Sequence, residues 1–193
     1  TNPIISAGSN GNFCSGQSFQ LLSYGASTYT WTGPNGFHYL GPSPLFLNTT
    51  PAMSGVYGLN GQANGCFGYT TINITVFALP YLAITSPSAV CENSTFSITV
   101  TGANTYAWTG PGNYSASGNV LSFYHAPSSL SGIYTVTATD LNHCVNTATV
   151  HARVEPPPYI IVNSADACVN GKLQLMASGG SNFHWEGPAG YVS

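Results

Sequence analysis

The stretch YAWTGPGNY, residues 106–114, returns in two further versions, YTWTGPNGF at 29–37 and FHWEGPAGY at 183–191. Each is an aromatic, one residue, Trp, one residue, Gly-Pro, two turn residues and a second aromatic. Side chains alternate along a strand, so the first aromatic and the Trp share one face. Gly-Pro then ends the strand, because Pro has no N–H to give a central ladder. Asn35-Gly36 and Gly112-Asn113 tolerate the positive φ of a following turn. The phrase is a core anchor followed by a corner, with Trp31, Trp108 and Trp185 as the bulkiest side chains for the gap between two sheets.

Working outward, other markers keep step with it. Trp31, Trp108 and Trp185 are evenly spaced, and Cys14, Cys91 and Cys168 keep the same interval, as do Pro3, Pro80 and Pro157. Ser54-Gly55-Val56-Tyr57 comes back one such interval later as Ser131-Gly132-Ile133-Tyr134. The chain is two full repeats and about half of a third, divided as 1–78, 79–155 and 156–193. Inside a repeat the hydrophobic period is two. Phe96, Ile98 and Val100 alternate with Ser97 and Thr99, and Phe19 and Leu21 do the same, as do Leu173, Leu175 and Ala177. Ile72, Ile74 and Val76 alternate near the end of the first repeat, and Ala148, Val150, Ala152 and Val154 near the end of the second. No apolar stripe of helical period is sustained, so the fold class is all-β, a row of small sandwiches.

Of the 193 residues only 4 % are charged, against 43 % hydrophobic and 12 % aromatic. Arg153 and Lys172 are the only basic residues, and Asp140, Asp166, Glu92, Glu155 and Glu186 the only acids. Phosphate binding needs clustered Lys and Arg, so no nucleic-acid partner is expected. No apolar run of about 18 residues could cross a bilayer, so this segment is not expected to insert into a membrane.

Together these features resemble the tandem immunoglobulin-like (Ig-like or PKD-like) repeats of large secreted bacterial surface proteins, adhesins and extracellular fibres. Cys14-Ser15-Gly16, the Trp31–Gly36 phrase, Ser54–Tyr57 and Gly65-Cys66 carry the likeness. The second repeat departs from it at Cys91-Glu92-Asn93 and His143-Cys144. The resemblance implies tandem immunoglobulin-like β-sandwiches in a semi-rigid row, the third repeat incomplete, with Tyr57 and Tyr134 as corner tyrosines packed beside the Trp anchors. It also implies paired cysteines. Cys66 follows Tyr57 by nine residues and Cys144 follows Tyr134 by ten, unlike the spacing of two in antibody-type domains. The expectation is therefore Cys14–Cys66 and Cys91–Cys144, each at one pole of its own sandwich, with Cys168 unpaired in this chain.

Half a sandwich exposes strand edges and apolar surface. Two explanations fit the third repeat: a natural chain that is longer, or missing strands supplied by another molecule, as in strand donation. The joints are short. Phe77-Ala78-Leu79-Pro80 links the first pair and Pro156-Pro157-Pro158 the second, the latter favouring an extended polyproline form.

No serine elbow, HExxH, P-loop or dinucleotide turn occurs. His38, His125, His143, His151 and His184 do not recur at the repeat interval, and the acids are scattered. Neither catalytic residues, a cofactor nor a metal is expected. Asn48, Asn73, Asn93 and Asn113 begin Asn-x-Ser/Thr sequons and are candidate glycosylation sites, Asn73 on the last strand pointing away from Ile72 and Ile74 and the others in loops or at strand edges. The leading expectation is a non-enzymatic structural segment of an extracellular fibre, filament, stalk or adhesin at the cell surface. Its partners would be adjacent repeats or identical subunits. The alternative is a module binding carbohydrate or protein through exposed Tyr24, Tyr39, Tyr69 and Tyr124.

Overall fold

The computed structural model describes residues 2–163, 165–167 and 171–193. Two sandwiches with the same strand plan follow one another. In the first, β1 (Ser6–Ser9), β3 (Phe19–Tyr24) and β6 (Leu45–Phe46) form one antiparallel sheet. Its partner sheet runs β5 (His38–Leu40), β4 (Thr28–Thr32), β7 (Gly55–Ala63), β8 (Cys66–Ile74). Beside them β2 (Phe13–Cys14) pairs in parallel with β9 (Val76–Phe77), which brings the start of the sandwich to its exit.

The second sandwich repeats this plan. One sheet is β10 (Ala83–Thr85), β12 (Phe96–Thr101) and β15 (Val120–Phe123). The other is β14 (Tyr114–Ser117), β13 (Thr105–Gly110), β16 (Gly132–Thr139) and β17 (Val145–Ala152). The parallel pair is β11 (Val90–Cys91) with β18 (Val154–Glu155). From the third repeat come β19 (Ile161–Val162), paired with β20 (Ala177–Ser178), and β21 (Glu186–Gly187), paired with β22 (Tyr191–Val192). These are the counterparts of β10, β12, β13 and β14.

The period-two pattern fixes which face of each strand goes inside. Phe19 and Leu21 are buried from β3, Trp31 from β4, and Tyr57 and Leu59 from β7. The second core has Phe96, Ile98 and Val100 from β12, Trp108 from β13, and Tyr134, Val136 and Ala138 from β16. Burying a side chain of this kind contributes about 1.5–3 kcal/mol. Both cores have a stacked phenylalanine pair, Phe19 on Phe46 with centroids 4.3 Å apart and Phe96 on Phe123 at 4.7 Å.

The two sequence phrases that recur, Trp-x-Gly-Pro and Ser-Gly-x-Tyr, lock into each other. The Tyr57 ring lies so close over Gly33 that a Cβ there would come within 2.5 Å of it, and Tyr134 covers Gly110 in the same way at 2.6 Å. Reciprocally, Pro34 packs over Gly55 and Pro111 over Gly132, glycines with φ of +143° and +148° that side chains rarely adopt. The Tyr57 hydroxyl donates to the Met53 carbonyl at 2.8 Å and that of Tyr134 to Leu130 at 3.0 Å, a tyrosine corner in each sandwich. The serine completes the knot. Ser54 Oγ accepts from the Val76 N–H at 2.9 Å, and Ser131 Oγ from the Val154 N–H at 2.8 Å, pinning the final strand.

The first aromatic of each phrase has a task of its own. Tyr29 Oη donates to the Ala26 carbonyl and accepts from the Ala26 N–H, both at 2.8 Å, closing the turn between β3 and β4. Tyr106 does the same for Ala103, at 2.7 and 2.9 Å. Phe183 occupies this place in the third repeat and has no hydroxyl to offer.

Trp108→Ala is expected to destabilise the second sandwich by about 3–5 kcal/mol, and Tyr134→Phe by about 1 kcal/mol, read as shifts in the urea midpoint. Burial raises the Tyr57 phenol above its ordinary value of 10.0, and burial, then neighbouring Tyr114, raises Tyr134. The unfolded phenols ionise first as pH rises. Stability is thus fully present below about pH 10 and is lost as pH climbs through the raised folded values. Tyr57→Phe with Tyr134→Phe should flatten that alkaline loss in pH-dependent unfolding.

Candidate functional site at the joint between sandwiches

The chemistry of the chain concentrates where the first sandwich meets the second. Cys14 is held against the exit strand by the β2–β9 pairing, with the Ser15 N–H donating to the Phe77 carbonyl at 2.8 Å. Its own N–H donates to Gln17 Oε1 at 2.8 Å, and buried Thr49 donates its hydroxyl to the Cys14 carbonyl at 3.3 Å. From the other side comes the β16–β17 hairpin. There the Asp140 carboxylate accepts the N–H groups of Asn142 and Cys144, both at 2.9 Å, setting the turn that presents Cys144. Asn146 Nδ2 donates to the Pro80 carbonyl at 2.9 Å, tying this hairpin to the linker.

Cys14 and Cys144 form a disulfide, their Cα atoms 5.5 Å apart and 130 residues apart in sequence. Among the described residues Cys66 and Cys91 are free thiols, the first half-buried and the second exposed. This corrects the expected pairing of Cys14 with Cys66 and Cys91 with Cys144. The reason is strand length. Cys66 opens β8, a strand of nine residues, so it sits about 30 Å from the pole where Cys14 lies beside β9. Likewise the eight residues of β17 separate Cys144 from β18 and Cys91 by roughly 26 Å. A disulfide needs Cα atoms about 5.5–6 Å apart. The late hairpin of each sandwich is at its entry pole and the early cysteine at its exit pole, so bonding occurs across the joint. The signal was in the sequence: Cys66 lies one long strand beyond the corner Tyr57. Cys168 lies outside the described residues.

The other singled-out residues are dispersed. Trp31 and Trp108 are buried, as are Tyr57 and Tyr134, whereas Trp185 is half-buried. Trp185 lines a groove of about 560 Å³ with Leu173, Leu175 and Tyr191. The counterparts of these residues in the second sandwich are covered by Leu121, Phe123, Tyr134 and Val136 of β15 and β16. The groove lies between the third-repeat strands at the place that β15 and β16 fill in the second sandwich. Tyr24, Tyr39, Tyr69 and Tyr124 are all exposed and do not converge. Tyr39 and Tyr69 stand on opposite edge strands of one sheet, Tyr24 is on the other sheet, and Tyr124 belongs to the second sandwich.

Asn48, Asn73, Asn93 and Asn113 are exposed, and all but Asn73 have positive φ, Asn113 at the end of the short 3-10 turn Pro111–Asn113. His184 Nε2 is 3.3 Å from Glu186, and Arg153 pairs with Glu155, both at the surface. Among the described residues no group of three His, Cys, Asp or Glu side chains could hold a metal ion, and no helix is long and apolar enough to cross a membrane.

No family model matches the sequence, and no curated protein matches it. Solved structures do match. The I67–I69 fragment of the titin I-band aligns with a TM-score of 0.53 at 12 % identity, covering 98 % of this chain and 80 % of that one. The full ectodomain of mouse nectin-like molecule 4 aligns at 0.39 and 19 % identity, covering 83 % and 66 %. The insect immune protein hemolin aligns at 0.46 and 16 %, covering 80 % and 47 %. The fold is that of tandem immunoglobulin-like sandwiches.

By the chain-entropy argument, a bond closing a loop of 130 residues contributes about 5 kcal/mol. Cys144→Ser should leave the strand content in circular dichroism unchanged while lowering stability by up to that amount. Spin labels placed one per sandwich should give a broader distance distribution in the variant than in the parent. An unchanged distribution would mean that the bond does not set the joint.

Proposed function

We propose that this chain is a non-enzymatic structural segment of an extracellular fibre, stalk or adhesin, in which sandwiches 1–78 and 79–155 and the sandwich begun at 156 are laid in a stiff row. The Cys14–Cys144 bond carries this reading. A bond inside one sandwich would stabilise that sandwich alone, whereas this one fastens one sandwich to the next. Disulfides persist in oxidising compartments, which supports a location outside the cell. The near absence of charge leaves no long-range field to steer a charged ligand. The exposed Tyr residues are too scattered to make one sugar-stacking platform.

On this reading the partners are adjacent repeats or identical subunits, and strands equivalent to β15–β18 close the third sandwich, from further chain or from a neighbour. Asn48, Asn73, Asn93 and Asn113 are open positions for glycans that would solvate an uncharged surface.

Electron microscopy of native material should show long uniform rods or fibres with a repeating spacing of one sandwich. Isolated globular particles at every concentration would overturn the proposal. Deglycosylation followed by intact-mass measurement should lower the mass, with the loss mapping to one or more of the four asparagines.

A further inference from the structure

The observed disulfide follows a rule that the rest of the chain repeats. Cys14 is the early cysteine of the first sandwich, and Cys91 is its counterpart one repeat on. Cys144 is the late-hairpin cysteine of the second sandwich, and Cys66 is its counterpart in the first. The bond therefore joins the early cysteine of one sandwich to the late hairpin of the sandwich after it. Cys91 sits at the exit pole of the second sandwich, opposite Glu155 of β18 and next to the start of the third repeat. Cys66 ends the β7–β8 hairpin at the entry pole of the first, paired across from Ala63.

Burial separates the two sets. Cys144 is fully buried and Cys14 nearly so, at 0 % and 9 % exposure, while their counterparts Cys66 and Cys91 are half-buried and exposed. The same strand framework surrounds each pair of counterparts. What differs is that a neighbouring sandwich covers the bonded pair. The uncovered thiols are thus the two halves of the same connector, one at each outer pole of the bonded pair of sandwiches.

We propose that Cys66 and Cys91 form disulfides across the next joints: Cys91 with a cysteine on the last hairpin of the sandwich that begins at Pro156, and Cys66 with the early cysteine of a sandwich stacked on the opposite pole. Each bond forms by thiol–disulfide exchange. The two cysteine thiols lose two protons and two electrons as the S–S bond closes, and a small-molecule or protein disulfide takes these up to become two thiols. The neighbouring sandwich is recognised by its own repeat: a β16–β17-type hairpin carrying Cys at one joint, a β2-type strand at the other. The inference rests on the row of sandwiches proposed above but can fail while that row stands.

Native assemblies are alkylated with iodoacetamide, then digested with pepsin at low pH without reductant, and the linked peptides are sequenced by mass spectrometry. The expected result is no alkyl label on Cys66 or Cys91 before reduction. Each should be found joined to an early or late cysteine of a neighbouring sandwich, a second copy included, alongside Cys14–Cys144. Comparing unreduced and reduced mass on a gel separates a continuing chain from a second copy. Label on either thiol overturns the proposal, as does a Cys91–Cys168 bond or a Cys66–Cys91 bond in a chain that runs as a monomer. Rods in the microscope together with labelled thiols would retain the structural role and discard the cross-joint rule.

Discussion

The contact between a tyrosine ring and a glycine decides how each sandwich closes. Tyr57 over Gly33 and Tyr134 over Gly110 leave no room for a Cβ, so the corner of one sheet and the start of the long strand β7 or β16 can approach only at that residue. Pro34 and Pro111 then press on Gly55 and Gly132 from the other side, and Ser54 and Ser131 hold the last strand. Three contacts thus meet at one pole of each sandwich. The Trp anchors fill the space this contact leaves between the sheets. Proline fixes its own φ at this corner, and Gly55 and Gly132 supply the positive φ that the chain needs there.

Because that corner lies at the exit pole, it also determines the joint. The strand β9 that Ser54 pins is the one beside which Cys14 sits, and it runs straight into Phe77-Ala78-Leu79-Pro80. The second sandwich reaches back with its Asp140–Cys144 turn and with Asn146 on Pro80. With so few charges, the ion pairs among the described residues, Arg153–Glu155 and His184–Glu186, do not orient the first sandwich on the second. A covalent bond does so instead, and it is insensitive to ionic strength where ion pairs are screened.

Much of this was legible in the sequence. Strict alternation in Thr95–Thr101 and the interval between Trp31, Trp108 and Trp185 were enough for strands, sandwiches and a row, because they depend only on side-chain periodicity. The corner tyrosines could be anticipated from Ser-Gly-x-Tyr. The cysteine pairing could not be obtained in the same way. It depends on which pole each end of β8 or β17 reaches, a matter of strand length and direction that a comparison of one repeat with the next does not raise. The interlock of Gly33 with Tyr57 was hidden for a related reason: the two motifs are well separated along the chain and touch only once the sheets are stacked.

The Cys14–Cys144 bridge changes what happens when such a row is pulled. Tension entering near the first strands passes through sulfur directly to β17 and bypasses the intervening polypeptide. With 130 residues between the bonded positions, roughly 450 Å of contour stays out of the force path. Either sandwich can melt under strain without the tether growing by that length. Such a bridge gives this pair of sandwiches a fixed reach until a reductant opens the sulfur bond.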